Sequence, residues 1–420
     1  MPFNLSTQRP LEFIGESLQS PENHLSQPKI IQYLLELKHP IQTRHINHLE
    51  MAPSQAELAR RRIVGVNAET VTDVTSTDFP GHYPGEDHAW SLSTFKKAFN
   101  VEFHHNTAYD ASFSIKGIDA SIANAFRRIM IAEIPSLAIE TVYVNNNTSV
   151  VQDEVLAHRL GLVPLKGLKE GIDWLKWFHK PSEEDDTEGS TAADDNTIVM
   201  ELKVECTRNP DASRDETDPE KAYINAHVLA SQIKYKPVGR QDKIFMGEGE
   251  IQSTNPDILV AKLRPGQVID VDMHAIKGIG MDHAKFSPVA TASYRLLPTI
   301  DIVKPIIGAH AHKFARCFPR GVIGIEKVTK SDISKDSDLQ GHEGEDKAVV
   351  RNAMKDTVSR EVLRHEEFEG KVKLGRVRDH FIFSVESVGQ WESDALFLES
   401  IKLLKMKCER FKRNLESLNT

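Results

Sequence analysis

Between residues 117 and 165 the chain reads GIDASIANAFRRIMIAEIPSLAIETVYVNNNTSVVQDEVLAHRLGLVPL, and its apolar positions recur there with a helical period. Ile122, Phe126, Ile129 and Met130 follow Asp119, a residue suited to capping a helix start, until Pro135 forbids continuation. The pattern predicts a helix of about four turns. On a wheel of about 100° per residue, Ile122, Ala125, Phe126, Ile129 and Met130 share one arc, and Asn124, Arg127, Arg128 and Ile131 share the other. Such a helix buries one face in its own domain. Ile131, an apolar side chain among polar ones, suits a partner surface, although a singly exposed isoleucine is an ordinary feature of any protein. Residues 152–160 predict a second, short helix, stopped by Gly161 and Pro164, with Val151, Val155 and Leu156 packing inward.

Period-two patterns predict strands at 100–105 and 111–116, joined as a hairpin, and at 197–206, 222–235 and 267–274. The last three suggest a mostly β insertion. A further strand at 377–385, with Phe381, Phe383 and Val385 alternating before Gly389, is expected to close the first sheet. Residues 63–90 and 331–346 read as loops, 348–361 as a helix, and 30–37, with Ile30, Ile31, Leu34, Leu35 and Leu37, as a short helix in an appended arm. The clearest period comes last. Phe397, Ile401, Leu404, Cys408, Phe411, Leu415 and Leu418 alternate steps of four and three and form one seam. Leu396, Leu398 and Leu403 widen its first half, while Lys402, Lys405, Glu409, Lys412 and Arg413 lie off it. The seam could pack on the chain's own sheet or on another subunit.

Length, composition and charge narrow the picture. The 420 residues, 40% apolar and 27% charged, have the composition of a globular protein of two or three domains. No stretch is long and apolar enough to span a bilayer, and MPFNLSTQRPLEF lacks the pattern of a secretory signal. Cys206, Cys317 and Cys408 lie far apart and form no CxxC pair, which argues against a zinc ribbon, a cluster or a disulfide framework and fits a reducing compartment. A net charge of −9 gives no global attraction to phosphate. The triplet Arg60, Arg61 and Arg62 reads as a solvated face or a local nucleic-acid contact. From 181 to 196, Glu183, Glu184, Asp185, Asp186, Glu188, Asp194 and Asp195 occur without a Lys or Arg, the composition of a disordered loop rather than a calcium loop.

Candidate chemistry is sparse. The pairs His104 and His105, and His310 and His312, lack partners at a zinc spacing. The glycines of 278–298 lack the strand-to-helix context of a phosphate cradle. Asp282, His283 and Ser287 are the residue types of a hydrolase triad, but no nucleophile elbow accompanies them.

The segments IANAFRRIMIAEIP and TSVVQDEVLAHRLGLVPL are similar to the signature of the alpha-like subunits of multisubunit RNA polymerases. TDFPG, EDHAW and GIGMDHAKFSPVATASYRLLP also resemble that family, the last carrying Met281 where a lysine is expected. ECTRNP, RPGQ and RVRDHFIFSVES favour the branch shared by eukaryotic RNA polymerases I and III, and the likeness runs from about residue 62 to 418. It implies an α+β protein: an N-terminal extension (1–60), an extended loop (61–94), and an alpha-like dimerisation domain built from 95–140 and 291–420. An inserted β-rich domain at 141–290, holding the acidic loop, interrupts it.

By the same resemblance the protein is a non-catalytic assembly subunit with no catalytic, cofactor or metal residues. Ile122, Phe126, Ile129, Phe397, Ile401, Leu404, Cys408, Phe411 and Leu415 would pair with a smaller alpha-like subunit. Asn124, Arg127, Arg128 and Ile131 would meet the two largest subunits of polymerases I and III. Small polymerase-core subunits are further implied partners, with neither sequence-specific nucleic-acid binding nor a membrane. The implied location is the nucleus, including the nucleolus. The alternatives are an alpha-like subunit of RNA polymerase II or of an archaeal enzyme, whose clustered insertion cysteines are absent here, and a stand-alone hydrolase using Asp282, His283 and Ser287.

Overall fold

The strand Val372–Ser387 organises the first of two sheets because Phe381, Phe383 and Val385, spaced by two, are all fully buried on one face. The computed structural model describes residues 2–4, 55–74, 89–178, 191–213, 215–245 and 247–418. The helix expected at 30–37 lies outside them. Val372–Ser387 lies at the centre of its sheet rather than closing it. It pairs with Ile63–Val66 along its first part, with Asp110–Lys116 along its second, and with Val289–Ile302 along the opposite side, all antiparallel. A strand of 16 residues outruns neighbours of 4 and 7, so two of them share one of its sides. Asn100–Asn106 pairs with Asp110–Lys116 as the expected hairpin and forms one sheet edge.

Residues 63–74 are not an extended loop. Ile63–Val66 and Val71–Thr72 form a hairpin on this sheet, and Val66 is buried, because the β-branched run IVGV has an unpaired strand side to join. The helix Gln55–Arg61 leads into it. Two of the three arginines of the basic triplet serve the fold: Arg61 pairs with Glu57, and Arg62 holds Asp379 at 2.8 and 3.0 Å.

The helix expected at 348–361 does not form. Asp346–Val350 is a strand paired with Ile323–Lys327, and Val358 and Arg360 have φ of 58° and 61°, a backbone region that no helix interior accommodates. Conversely, the stretch expected to be loop contains the helix Lys330–Lys335, capped by Thr329 and Asp332. A separate core of Phe314, Val322, Phe368 and Leu374 forms nearby in sequence, and the helix contributes no buried residue to it.

The second sheet runs Lys234–Lys236, Thr197–Glu205, Val268–Gly278, Ser136–Asn147, Leu165–Lys166, Gln252–Ser253, and Pro2–Asn4 pairs with Ser136–Asn147. Apart from Pro2–Asn4, all its strands fall between residues 136 and 278. Its strand Ser136–Asn147 begins at once after Pro135 and spans the boundary expected at 140–141. The strand expected at 222–235 is broken into three short pieces, with Asn225 at φ 58° between the first two.

Asp153–Gly161 covers the second sheet through Leu156, Ala157 and Leu160, whereas Val155 points outward, 47% exposed, because the buried stripe runs i, i+1, i+4 from Leu156. The end of the acidic segment is tied down. Arg240 donates to both carboxylate oxygens of Asp194, at 3.0 and 3.1 Å, and holds that carboxyl down to about 2, while Asn196 is buried. Among the described residues no helix is long and apolar enough to cross a membrane.

Candidate assembly interface

The helix Ala120–Ala132 leaves the first sheet through a turn that only glycine fits. Gly117 has φ +79°, and a Cβ there would lie 2.6 Å from the Ala98 carbonyl oxygen. The Asp119 side chain then accepts from the Ser121 N–H at 2.8 Å, capping the helix as expected, and hydrogen bonding to the Ser121 side chain first and to its N–H second lowers the Asp119 pKa. The buried face is Ala123, Phe126, Ile129 and Met130. It is turned from the expected arc: Ala123 lies against the sheet, Ala125 is half-buried and Ile122 is 39% exposed. Ala123, Phe126 and Met130 follow i, i+3, i+7, and a small residue at the first position lets the backbones approach.

The far end of this helix is held by the glycine-rich loop. The Met281 N–H donates to the Ala132 carbonyl at 2.9 Å, and a Cβ on Gly280 would lie 2.3 Å from the Ile131 carbonyl oxygen. The loop therefore grips the helix through its backbone, and the Met281 side chain is left exposed. Behind it, Lys285 and Glu140 form a buried ion pair, and the ammonium also donates to the Ile139 carbonyl at 2.9 Å, a further partner that a buried pair requires.

The hydrolase residues lie in the same loop but do other work. The Ser287 hydroxyl donates to the Val289 carbonyl at 3.2 Å, and His283 Nδ1 accepts from the Lys285 N–H at 3.1 Å, both turn-forming bonds around Ala284–Phe286. One histidine of each pair is engaged locally, His104 with Ser114 at 2.7 Å and His312 with Asp346 at 2.9 Å. Among the described residues no three His, Cys, Asp or Glu side chains group as a metal site. Burial pushes the Cys206 and Cys317 thiols up, whereas Cys408 is exposed.

The closing helix Ser393–Leu418 packs beside Ala120–Ala132, with Ser393, Leu396, Phe397 and Ser400 buried. Phe397 sits in an aromatic cluster, 4.7 Å from Phe113 and 5.4 Å from Phe126 between ring centres. Trp391 and Gln390, at the corner before the helix, donate to the Pro135 and Leu137 carbonyls at 3.3 and 3.0 Å. Sequence reasoning missed this staple, for which the only signal was a Gly389 turn followed by two large polar-tipped side chains. Lys407 forms an ion pair with Glu133 at the end of the neighbouring helix.

The nine residues expected to meet the smaller partner thus fall in two layers. Phe126, Ile129 and Phe397 belong to the chain's own core and offer little surface, because the two helices bury them against the first sheet. Leu404 is half-buried against the same core. Ile122, Ile401, Cys408, Phe411 and Leu415 are exposed, Phe411 by 65%. On the other face of Ala120–Ala132, Arg127 donates through Nε and Nη2 to Asn124 Oδ1, at 3.1 and 2.9 Å, and Arg128 is exposed. Ile131 is half-buried and touches the core, so only part of it is available to a large subunit.

The profile of the RNA polymerase Rpb3/Rpb11 dimerisation domain matches residues 112–408. A Saccharomyces cerevisiae protein named DNA-directed RNA polymerases I and III subunit RPAC1 is 52% identical over 350 residues, 83% of this chain and 97% of its own length. Its human namesake is 45% identical over 368 residues, covering 88% and 99%. A Dictyostelium discoideum DNA-directed RNA polymerase II subunit rpb3 is 31% identical over 298 residues, 70% of this chain and 87% of its own length. The chain belongs to the family of alpha-like RNA polymerase subunits that share the Rpb3/Rpb11 dimerisation domain.

Proposed function

We propose that the chain is the non-catalytic assembly subunit common to RNA polymerases I and III. It pairs with a smaller alpha-like subunit through the exposed half of its closing helix and Ile122, and the pair forms the platform for the two largest subunits. Asn124, Arg127, Arg128 and the exposed part of Ile131 meet those subunits, and small core subunits join around them. A nuclear location follows from that machinery, and the polymerase I role extends it to the nucleolus.

The observation that carries this reading is the exposed seam. Phe411, Leu415 and Leu418 are 65%, 46% and 81% exposed, on the same seam as Phe397, which is buried. Each large apolar side chain is worth about 1.5–3 kcal/mol when buried, so covering the seam offsets much of the 4–15 kcal/mol lost in association. The named relatives, subunits of polymerases I and III covered along nearly their whole length, favour those two enzymes over polymerase II.

Affinity purification of the tagged full chain from its own cells, with the co-purifying subunits identified, tests the proposal. The expected set holds the largest subunits of both polymerases and one smaller alpha-like chain. Recovery of polymerase II subunits alone overturns the assignment. An Arg127→Ala, Arg128→Ala double variant is expected to keep the small partner and lose the large subunits, and normal assembly by that variant removes those residues from the docking face.

A further inference from the structure

The seven-residue repeat of the closing helix places Ile401, Cys408 and Leu415 at the first seam position and Leu404, Phe411 and Leu418 at the fourth. The fifth and seventh positions flank such a seam, and their charges decide which helix it accepts. In the exposed half the fifth positions are Lys405 and Lys412 and the seventh are Lys407 and Asn414, so every charged flank is a lysine. The acids of that half, Glu409 and Glu416, both occupy the second position, turned away from the seam. From 402 to 418 six basic residues face two acidic ones, a net of +4 in a chain whose total is −9.

Two of the three flanking lysines, Lys405 and Lys412, remain available to a partner. Lys405 and Lys412 reach back to Glu409 and Glu416 only at 3.8 and 3.9 Å, and the lysine side chains are 75% and 78% exposed. Exposed pairs of this kind hold a side chain weakly. Lys407 is braced by Glu133 of the neighbouring helix, with its side chain still half exposed.

We propose that this helix accepts a partner helix whose seam is flanked by Glu or Asp, and that the same lysines reject a second copy of the chain. In an antiparallel self-pair the fifth positions would set lysine against lysine, and in a parallel one Lys407 of each copy would meet Lys412 of the other. The partner of an alpha-like subunit is thereby chosen by charge as well as by apolar area. This rests on the exposed seam being the subunit interface.

Full-length chain and the smaller alpha-like subunit, co-expressed and then titrated by competition, provide the test. Lys405→Glu with Lys412→Glu should weaken pairing at least tenfold at low ionic strength, and the deficit should shrink in high salt. Lys405→Gln with Lys412→Gln should lose less. Sedimentation of the Glu variant mixed with the wild-type chain should show a mixed dimer that neither forms alone. Undiminished pairing of the Glu variant at low salt, or a deficit indifferent to salt, overturns the proposal. Phe411→Asp separates this from the reading beneath it. Pairing that survives Phe411→Asp removes the seam as an interface, whereas pairing lost in Phe411→Asp but retained by the Glu variant removes only the selection by charge.

Discussion

The two halves of the closing helix have nearly the same apolar rhythm and opposite surroundings. Leu396 and Phe397 are buried, and Ser393 and Ser400, fully buried small residues, let the first turns settle on the sheet. From Ile401 onward the seam continues with side chains as large, yet Phe411 and Leu418 face outward. The cause is length. Helix Ser393–Leu418 has 26 residues and Ala120–Ala132 has 13, so the longer runs about 39 Å beside a neighbour of about 20 Å. Periodicity therefore identifies an apolar stripe, but what covers it depends on elements distant in sequence.

The strongest test of the inner half is Phe397→Ala. Phe397 touches Phe113, Phe126 and Phe383, and its truncation should cost about 3–5 kcal/mol through lost burial and a residual cavity. A urea titration followed by near-ultraviolet circular dichroism reads that loss. Undiminished stability would show that the inner half is no more core than the outer one.

Phe411→Asp puts the opposite question to the outer half. Stability should stay within about 0.5 kcal/mol, because the side chain is exposed in the unpaired chain. Pairing with the smaller subunit should fall by about 4 kcal/mol, roughly a thousandfold, from the lost burial and the charge set in an apolar contact. Leu404→Asp lies at the junction. Half-buried against the chain's own core, Leu404 should lower both stability and pairing when replaced, so it draws the line between the halves and Phe411 gives the cleaner reading.

Acid should also distinguish core from seam. His380, on the central strand, is 8% exposed, and burial first, then the nearby Lys116, depresses its pKa from 6.5 to about 4. Between those values the unfolded chain binds a proton that the folded chain refuses. Stability then falls as pH drops from 6.5 to about 4, by about 3 kcal/mol in all. His274, likewise lowered by burial, adds to the same slope, so His380→Phe should flatten it without abolishing it. The exposed half of the closing helix holds no histidine. Loss of pairing above pH 5 in a still-folded chain would contradict that separation.

Much of the architecture was legible where local signals agree. Asp119, Pro135 and the spacing of Phe126 and Met130 specify one helix, and turn residues bracket the 100–116 hairpin. The failures were tertiary. Nothing in the alternation of Phe381 and Phe383 says that neighbours pair on both sides, and nothing in AVVRNAMKDTVSRE reveals that Val358 and Arg360 take left-handed conformations. Of the site, the seam was readable as a stripe. Its division into core and surface was not, because Phe397 and Phe411 occupy the same repeat position and differ only in what lies opposite.

The smallest expected effect refines where the inner half ends. Glu399 belongs to the last covered turn, its side chain 14% exposed, and it accepts from Lys169 at 2.9 Å and from Lys402 at 3.2 Å. Burial alone would raise its carboxyl, but the two lysines outweigh it and hold the pKa below the ordinary 4.5. Glu399→Gln should cost about 1 kcal/mol, since Lys169 is itself 37% exposed and solvent screens the pair. The folded pKa is depressed, so that contribution is complete above pH 4.5 and fades as pH falls through the lowered value. Wild type and variant should therefore differ in chemical denaturation at pH 7 and converge at strongly acidic pH. Pairing should be unchanged, because Glu399 points to Lys169 of the chain's own second sheet region rather than along the seam. If Glu399→Gln weakens pairing as much as it weakens the fold, the subunit contact begins about half a turn earlier than Ile401, and the boundary between the two halves moves with it.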